Sequence, residues 1–69
     1  MPFVNIRIVK EVIADDPKAK KDRIARAVKE AIRAATGVGE DDVWIVFEEV
    51  AACDWYVGET SVEARRTGQ

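Results

Sequence analysis

The sequence predicts an α+β fold in which a β-α-β unit is followed by a short C-terminal hairpin. Apolar residues alternate along residues 3–9 and again along residues 42–49, as they do in β-strands. Between these segments, residues 16–37 carry apolar side chains at helical spacing. An aromatic segment at residues 55–57 then ends at a glycine, which is typical of a tight turn. With 69 residues, the chain has room for a single domain over residues 1–69.

The first strand follows directly after Met1-Pro2, and the alternation gives it one wholly apolar face. That face is formed by Val4, Ile6 and Ile8. The opposite face carries Phe3, Asn5, Arg7 and Val9. Residues 10–15 then form a connection to the helix.

Clear signals mark both ends of the predicted helix. Asp16 can cap the free N–H groups of the first turn, and Pro17 suits the first helical position. Gly37 suits the left-handed conformation that closes a helix. The predicted apolar stripe consists of Ile24, Val28, Ala31, Ile32 and Ala35.

The second strand is predicted over residues 42–49, with Val43, Ile45 and Phe47 on one face. A helix between two strands indicates a right-handed crossover, so the strands should be parallel. Gly58 ends the aromatic segment that follows. The polar tail, residues 59–69, is expected to form a short strand or a turn of helix lying on a neighbour.

Composition limits the possible functions. The single cysteine and the lack of histidine exclude an internal disulfide and argue against a zinc site or a Ser-His-Asp triad. A net charge of −2 without a basic stripe disfavours nucleic acid as a partner. No apolar run approaches the length of a membrane helix, and one unpaired cysteine fits the cytoplasm. A chain this short with 48% hydrophobic residues is expected to cover its apolar surface by oligomerisation.

Pro2 is the most informative candidate for chemistry. If Met1 is removed, Pro2 becomes a free secondary amine. A free α-amino group titrates at about pH 7.7–8.0, and apolar surroundings lower that value. Pro2 could then act as a general base at neutral pH. If Met1 is retained, the Pro2 nitrogen is an amide and cannot act as a base.

These elements in this order resemble the tautomerase superfamily, and within it the short 4-oxalocrotonate tautomerase group. Residues 2–8 resemble the first strand of that group, residues 22–32 its helix, and residues 43–49 its second strand. Residues 55–58, Trp-Tyr-Val-Gly, resemble the hairpin that brings an aromatic wall to the active site. The similarity covers nearly the whole chain.

The resemblance implies dimers that share a four-stranded sheet and a hexamer built as a trimer of dimers. It implies Pro2 as the catalytic amine of an isomerase, moving a proton between the oxygen and a carbon of a 2-hydroxydienoate. The substrate would be a small carboxylate bound against Trp55. No cofactor and no metal ligand are implied.

Two cations of the family are replaced in this chain. Family tautomerases carry an arginine at the end of the first strand that holds a substrate carboxylate, and the aligned stretch here begins at Lys10. A second family arginine, early in the second strand, aligns with Trp44. Substrate binding could therefore involve Lys10, Trp44 and Arg7, although lysine lacks the two-pronged geometry of arginine. We expect poor activity on the standard dicarboxylate substrate.

Two alternatives remain open at this point. Dehalogenase members of the superfamily place a water-activating glutamate two residues after the aromatic wall, where this chain has Val57. Glu59 or Asp54 could direct water instead, giving a hydratase or dehalogenase acting on a 3-haloacrylate-type acid. The chain could also be a non-catalytic subunit of a heterohexamer in which a related short chain supplies the arginines.

Overall fold

The structure, a computed structural model, describes residues 1–67; residues 68 and 69, which close the predicted tail, lie outside the described part. It confirms the predicted β-α-β fold with a C-terminal hairpin. The main elements are β1 (Phe3–Val9), α1 (Pro17–Thr36), β2 (Trp44–Val50), β3 (Tyr56–Val57), β4 (Thr60–Ser61) and α2 (Val62–Arg66). Short 3₁₀-helices occupy Lys10–Ile13, Glu40–Asp42 and Ala52–Asp54.

Strands β1 and β2 are parallel, as predicted, with a register that runs from Phe3 opposite Trp44 to Val9 opposite Val50. Strand β2 begins two residues later than predicted because Glu40–Asp42 forms a 3₁₀ turn. In that turn the Asp42 carboxylate accepts a hydrogen bond from the Gly39 N–H at 3.3 Å. The acidic residues before β2 therefore belong to the turn.

The two faces of this sheet have different environments. The face towards α1 is half-buried and consists of Val4, Ile6, Ile8, Ile45 and Phe47. An ion pair between Lys21 of α1 and Glu49 of β2 ties the helix to the sheet. The opposite face is exposed, with Phe3 at 62%, Trp44 at 56% and Val46 at 41% of full exposure. An apolar sheet face therefore remains uncovered in the single chain.

Helix α1 begins and ends where the sequence predicts. The Asp16 carboxylate accepts a hydrogen bond from the Ala19 N–H at 3.3 Å, and Pro17 is the first helical residue. At the other end, Gly37 has a φ of 77° and donates its N–H to the Arg33 carbonyl at 2.8 Å. An L-residue with a side chain rarely adopts this conformation, which explains the glycine.

The predicted apolar stripe of α1 is confirmed at three positions and wrong at two. Ile24, Val28 and Ile32 are half-buried, whereas Ala31 and Ala35 are exposed. Two strands about 5 Å apart make a narrow sheet, so only a narrow strip of the helix can lie over it. The two alanines lie outside that strip.

The connections that follow the two long strands form the best-buried part of the fold. The connection after β1 is a 3₁₀-helix that turns Ile13 inward to 2% exposure. The connection after β2 buries Ala52 to 1% exposure. Within residues 1–67 these are the two fully buried apolar residues. The small core therefore lies at the carboxyl end of the sheet.

The C-terminal segment contains both a strand and a helix. Strands β3 and β4 are antiparallel, and Gly58 makes the turn between them with a φ of 65°. Helix α2 then begins where the Ser61 hydroxyl accepts a hydrogen bond from the Ala64 N–H at 3.1 Å. This helix lies against the 3₁₀ turn at Ala52–Asp54, so the hairpin is joined to the end of β2.

In the part of the chain that the structure describes, neither helix combines the length and the apolar character needed to cross a membrane. Over the same residues, no group of three or more His, Cys, Asp or Glu side chains is arranged to hold a metal ion.

Candidate functional site

Pro2 lies at the amino end of β1 in a fixed and half-buried position. Its carbonyl accepts a hydrogen bond from the Trp44 N–H at 3.0 Å, which ties it to the start of β2. The exposed rings of Phe3 and Trp44 stand side by side here as register partners. Met1 is 77% exposed, so few contacts would be lost with its removal. A proline amine at this position would sit on a backbone that is held in place by β2.

Trp55 belongs to the opposite end of the sheet. Its N–H donates to the Ala52 carbonyl at 3.4 Å, and its own carbonyl accepts from the Val62 N–H at 2.7 Å. These bonds hold Trp55 between the turn after β2 and the start of α2, and its side chain is half-buried. An aromatic group held at both its backbone atoms can form a rigid wall.

Two further candidate residues lie at the same end as Trp55. Lys10 is exposed in the first position of the 3₁₀-helix after β1 and makes no ion pair within residues 1–67. Its ammonium group is therefore available for a carboxylate. Glu59 is exposed in the turn between β3 and β4, one residue after Gly58. The structure shows no cation paired with Glu59 among the described residues.

The candidates thus fall into two groups at opposite ends of β1. Pro2 and Trp44 lie at the amino end, whereas Lys10, Trp55 and Glu59 lie at the carboxyl end. Strand β1 has seven residues. At a rise of about 3.3 Å per residue, Pro2 and Lys10, which flank this strand, are about 26 Å apart. No single small substrate can contact both groups of one chain.

Arg7 lies between the groups, on the exposed sheet face. Its guanidinium forms an ion pair with Glu48, its register partner on β2, at 3.3 Å. The Asn5 side-chain amide and then the Arg7 guanidinium hold the pKa of the Glu48 carboxyl below its ordinary value of 4.5. The positive charge of Arg7 is therefore already compensated, which weakens Arg7 as a group for holding substrate.

Glu11 makes a contact that the sequence pattern did not indicate. Its carboxylate accepts a hydrogen bond from the Ala52 N–H at 2.8 Å, across 41 positions of sequence. This bond, and then the N–H of Glu11 itself, lower the pKa of the Glu11 carboxyl, with smaller effects from Lys10 and Arg66. A carboxylate bound to a backbone N–H leaves no residue pattern, so no sequence signal could have identified it.

Two open grooves flank helix α1, and neither contains Pro2 or Trp55. One, of about 490 Å³, lies between α1 and the start of β2 and includes Arg26, Lys29 and Ile45. The other, of about 440 Å³, lies between α1 and the end of β1 and includes Ile8, Ile13 and Arg23. Neither groove therefore forms an enclosed site around Pro2.

Comparison with known proteins agrees with this fold. The model of the tautomerase enzyme family matches residues 2–65. A comparison with curated proteins finds no match. Among solved structures, the chain is similar to DmpI from Helicobacter pylori, with a TM-score of 0.76 and 19% identity over 99% of this chain and 100% of that chain.

A second similar structure comes from a study of the 4-oxalocrotonate tautomerase isozymes of Methylibium petroleiphilum. Its TM-score is 0.70 and its identity 22%, over 99% of this chain and 100% of that chain. At such identities, these likenesses concern the fold. In contrast, residues 2–65 of the 69-residue sequence match the family model. The chain therefore belongs to the tautomerase enzyme family.

Proposed function

We propose that this protein is a cofactor-independent isomerase that tautomerises a 2-hydroxydienoate or a related small enol acid, with the amine of Pro2 as base and then acid. The observation that carries the proposal is the position of Pro2. It is half-buried and fixed through its carbonyl to the Trp44 N–H, at the end of the sheet where Phe3 and Trp44 are exposed. The reaction requires a proton carrier with a pKa near neutrality, and an α-amino group in apolar surroundings provides one.

The proposed chemistry is a proton transfer within one substrate molecule. After removal of Met1, the neutral Pro2 nitrogen accepts the proton of the enol hydroxyl. The C=O bond forms, the conjugated double bond shifts, and a carbon of the chain takes the proton back from the prolinium ion. No atom or electron is gained or lost overall. Proton transfer by a positioned group contributes about 10²–10⁴-fold to the rate, and stabilisation of the enolate must supply the remainder.

Assembly is part of the proposal because the two groups of candidates are far apart in one chain. Strand β1 pairs only with β2 within residues 1–67, so its other edge is open. If two copies pair along this edge in antiparallel orientation, Pro2 of one copy approaches Lys10 and Trp55 of the other. The shared sheet would have four strands. Three such dimers would cover the exposed face that carries Phe3 and Trp44, giving a hexamer.

In this arrangement Lys10 is the best candidate for binding the substrate carboxylate. It is exposed and makes no ion pair within the described residues, whereas Arg7 is held by Glu48. An ammonium group binds a carboxylate as a point charge, without the paired hydrogen bonds of a guanidinium. Trp44 supplies an aromatic surface where family tautomerases have an arginine. We therefore expect weaker binding of dicarboxylates than of monocarboxylates.

The test compares the parent protein with Pro2→Ala on the ketonisation of 2-hydroxymuconate, after intact-mass measurement of both proteins. The parent should be lighter than its translated sequence by one methionine residue, and it should turn over this dicarboxylate slowly but measurably. Pro2→Ala should lose activity by at least about 10²-fold, the lower range for a positioned proton carrier. Equal rates for the two proteins, or full activity in a parent that keeps Met1, would contradict the proposal.

The missing arginines also support a second candidate, a subunit of a heterohexamer in which a related short chain supplies the cations. Native mass spectrometry of the purified chain separates the two cases. A homohexamer that turns over substrate needs no companion.

Halide release from 3-haloacrylates by the same sample would instead indicate a hydratase or dehalogenase, with Pro2 as acid and Glu59 directing water.

A further inference from the structure

A hydrogen bond from a side chain joins the two segments that carry Lys10 and Trp55. Glu11 follows Lys10 directly, and its carboxylate accepts the Ala52 N–H at 2.8 Å. Ala52 in turn accepts the Trp55 N–H at its carbonyl, at 3.4 Å. The Glu11 side chain thus connects the segment after β1 with the turn after β2, beyond the last paired residues of the two strands.

The surroundings of this bond make it an effective fixed point. Ala52 is 1% exposed, so its N–H has no access to water and needs a partner inside the protein. Ile13, two residues after Glu11, is 2% exposed and anchors the same 3₁₀-helix in the core. The positive charges of Lys10 and Arg66 favour the ionised form of Glu11. Hydrogen bonds to an ionised acceptor are stronger than those between neutral groups.

We propose that Glu11 is a positioning residue, which holds the turn carrying Trp55 against the segment carrying Lys10 so that both substrate-binding groups keep a fixed separation. This inference rests on the proposed function, because it assigns the binding of the substrate's carboxylate and its conjugated chain to Lys10 and Trp55. Glu11 itself does not touch the substrate. It acts on binding, since Pro2 of the same chain lies about 26 Å from Lys10, at the other end of β1.

The consequences for kinetics are specific. Without the carboxylate, the Ala52 N–H loses its partner and the turn moves away from the 3₁₀-helix. Substrate binding then weakens, whereas proton transfer by Pro2 of the neighbouring copy does not change. We expect Glu11→Ala to raise KM about tenfold and to leave kcat within about twofold. Glu11→Gln should restore most of the affinity, because its amide oxygen can accept the same N–H.

Glu40 provides a matched control. Like Glu11 it is an exposed glutamate in a short 3₁₀-helix with a lowered pKa, but its partner is the Lys29 ammonium at 3.0 Å. Glu40→Ala should leave both KM and kcat unchanged. A rise in KM in this variant equal to that in Glu11→Ala would attribute the effect to a lost surface charge and would overturn the proposal.

The experiment measures KM and kcat for the parent, Glu11→Ala, Glu11→Gln and Glu40→Ala, together with amide hydrogen exchange at Ala52 in the same samples without substrate. Faster exchange and raised KM in Glu11→Ala alone support the proposal. An unchanged KM in Glu11→Ala, or an equal loss of kcat in both Glu11 variants, overturns it. An inactive parent rejects the proposed function instead. The exchange data still test the contact in that case, because equal Ala52 protection in all four proteins would overturn it.

Discussion

Replacing Trp44 by serine should break the proposed assembly of several copies while leaving the fold of each chain intact. The Trp44 side chain lies on the exposed sheet face and is 56% exposed in the single chain. Its backbone N–H, which binds the Pro2 carbonyl, is retained in the variant. The change therefore removes apolar surface from the face that we expect another copy to cover.

The expected magnitude follows from the exposed area. A tryptophan side chain that becomes buried contributes about 150–250 Å², of which 56% is still exposed here. At about 25 cal/mol per Å², covering this remainder would stabilise the assembly by about 2–3.5 kcal/mol per copy. Loss of that free energy lowers the association constant by about 30- to 300-fold for each copy whose Trp44 is replaced.

Sedimentation velocity over a dilution series measures this effect without any enzymatic assay. The parent should sediment as an oligomer at concentrations where Trp44→Ser has dissociated, with both proteins showing the same circular dichroism at high concentration. Trp44→Phe is the control, because it keeps an aromatic ring on the face and should assemble nearly as the parent does. A parent that is monomeric throughout, or a Trp44→Ser protein that assembles like the parent, would refute the reasoning.

Two further predictions concern the fold itself. Ile13→Ala should lower the free energy of unfolding by about 2–5 kcal/mol, because Ile13 is 2% exposed in a very small core. The control Val12→Ala, at an adjacent residue that is 49% exposed, should change this free energy by less than about 1 kcal/mol. Urea denaturation measures both values, and equal effects would contradict this placement of the core. Acid should destabilise the protein, since Glu11, Glu40 and Glu48 have pKa values lowered from 4.5 in the folded state. Stability from these groups is complete above the unfolded-state value and is lost as the pH falls through the lower folded-state values. The urea concentration at the unfolding midpoint should therefore decrease once the pH is lowered below about 4.5. A midpoint that rises on acidification would contradict the lowered pKa values of these three glutamates.

The sequence was sufficient for β1 and α1 because their signals are local. Alternation in residues 3–9 gave β1 its buried and exposed faces, and Asp16 and Gly37 marked the two ends of α1. Such signals depend on backbone geometry within a few residues. The boundary of β2 was less accurate, because capping of the Glu40–Asp42 turn competes with extension of the strand.

The candidate site was predictable only in part. The sequence singled out Pro2 by its place after Met1, and Trp55 through resemblance to a family, but their separation along the sheet required the structure. Likewise, the sequence leaves both Arg7 and Lys10 as candidate cations for the substrate. The structure distinguishes them, because Glu48 occupies the register position opposite Arg7 and no acidic group pairs with Lys10 among the described residues.

By itself, the sequence determined the order and type of the elements in the β-α-β unit, an apolar face on each of its strands, and an amine that could be released at Pro2. Only the tertiary structure decided that the small core lies around Ile13 and Ala52, that Glu11 joins the ends of β1 and β2, and that one chain leaves an apolar sheet face uncovered. The physical reason is the range of the interactions. Periodicity and capping act between neighbouring residues, whereas packing and the pairing of buried N–H groups join positions that are distant in the chain.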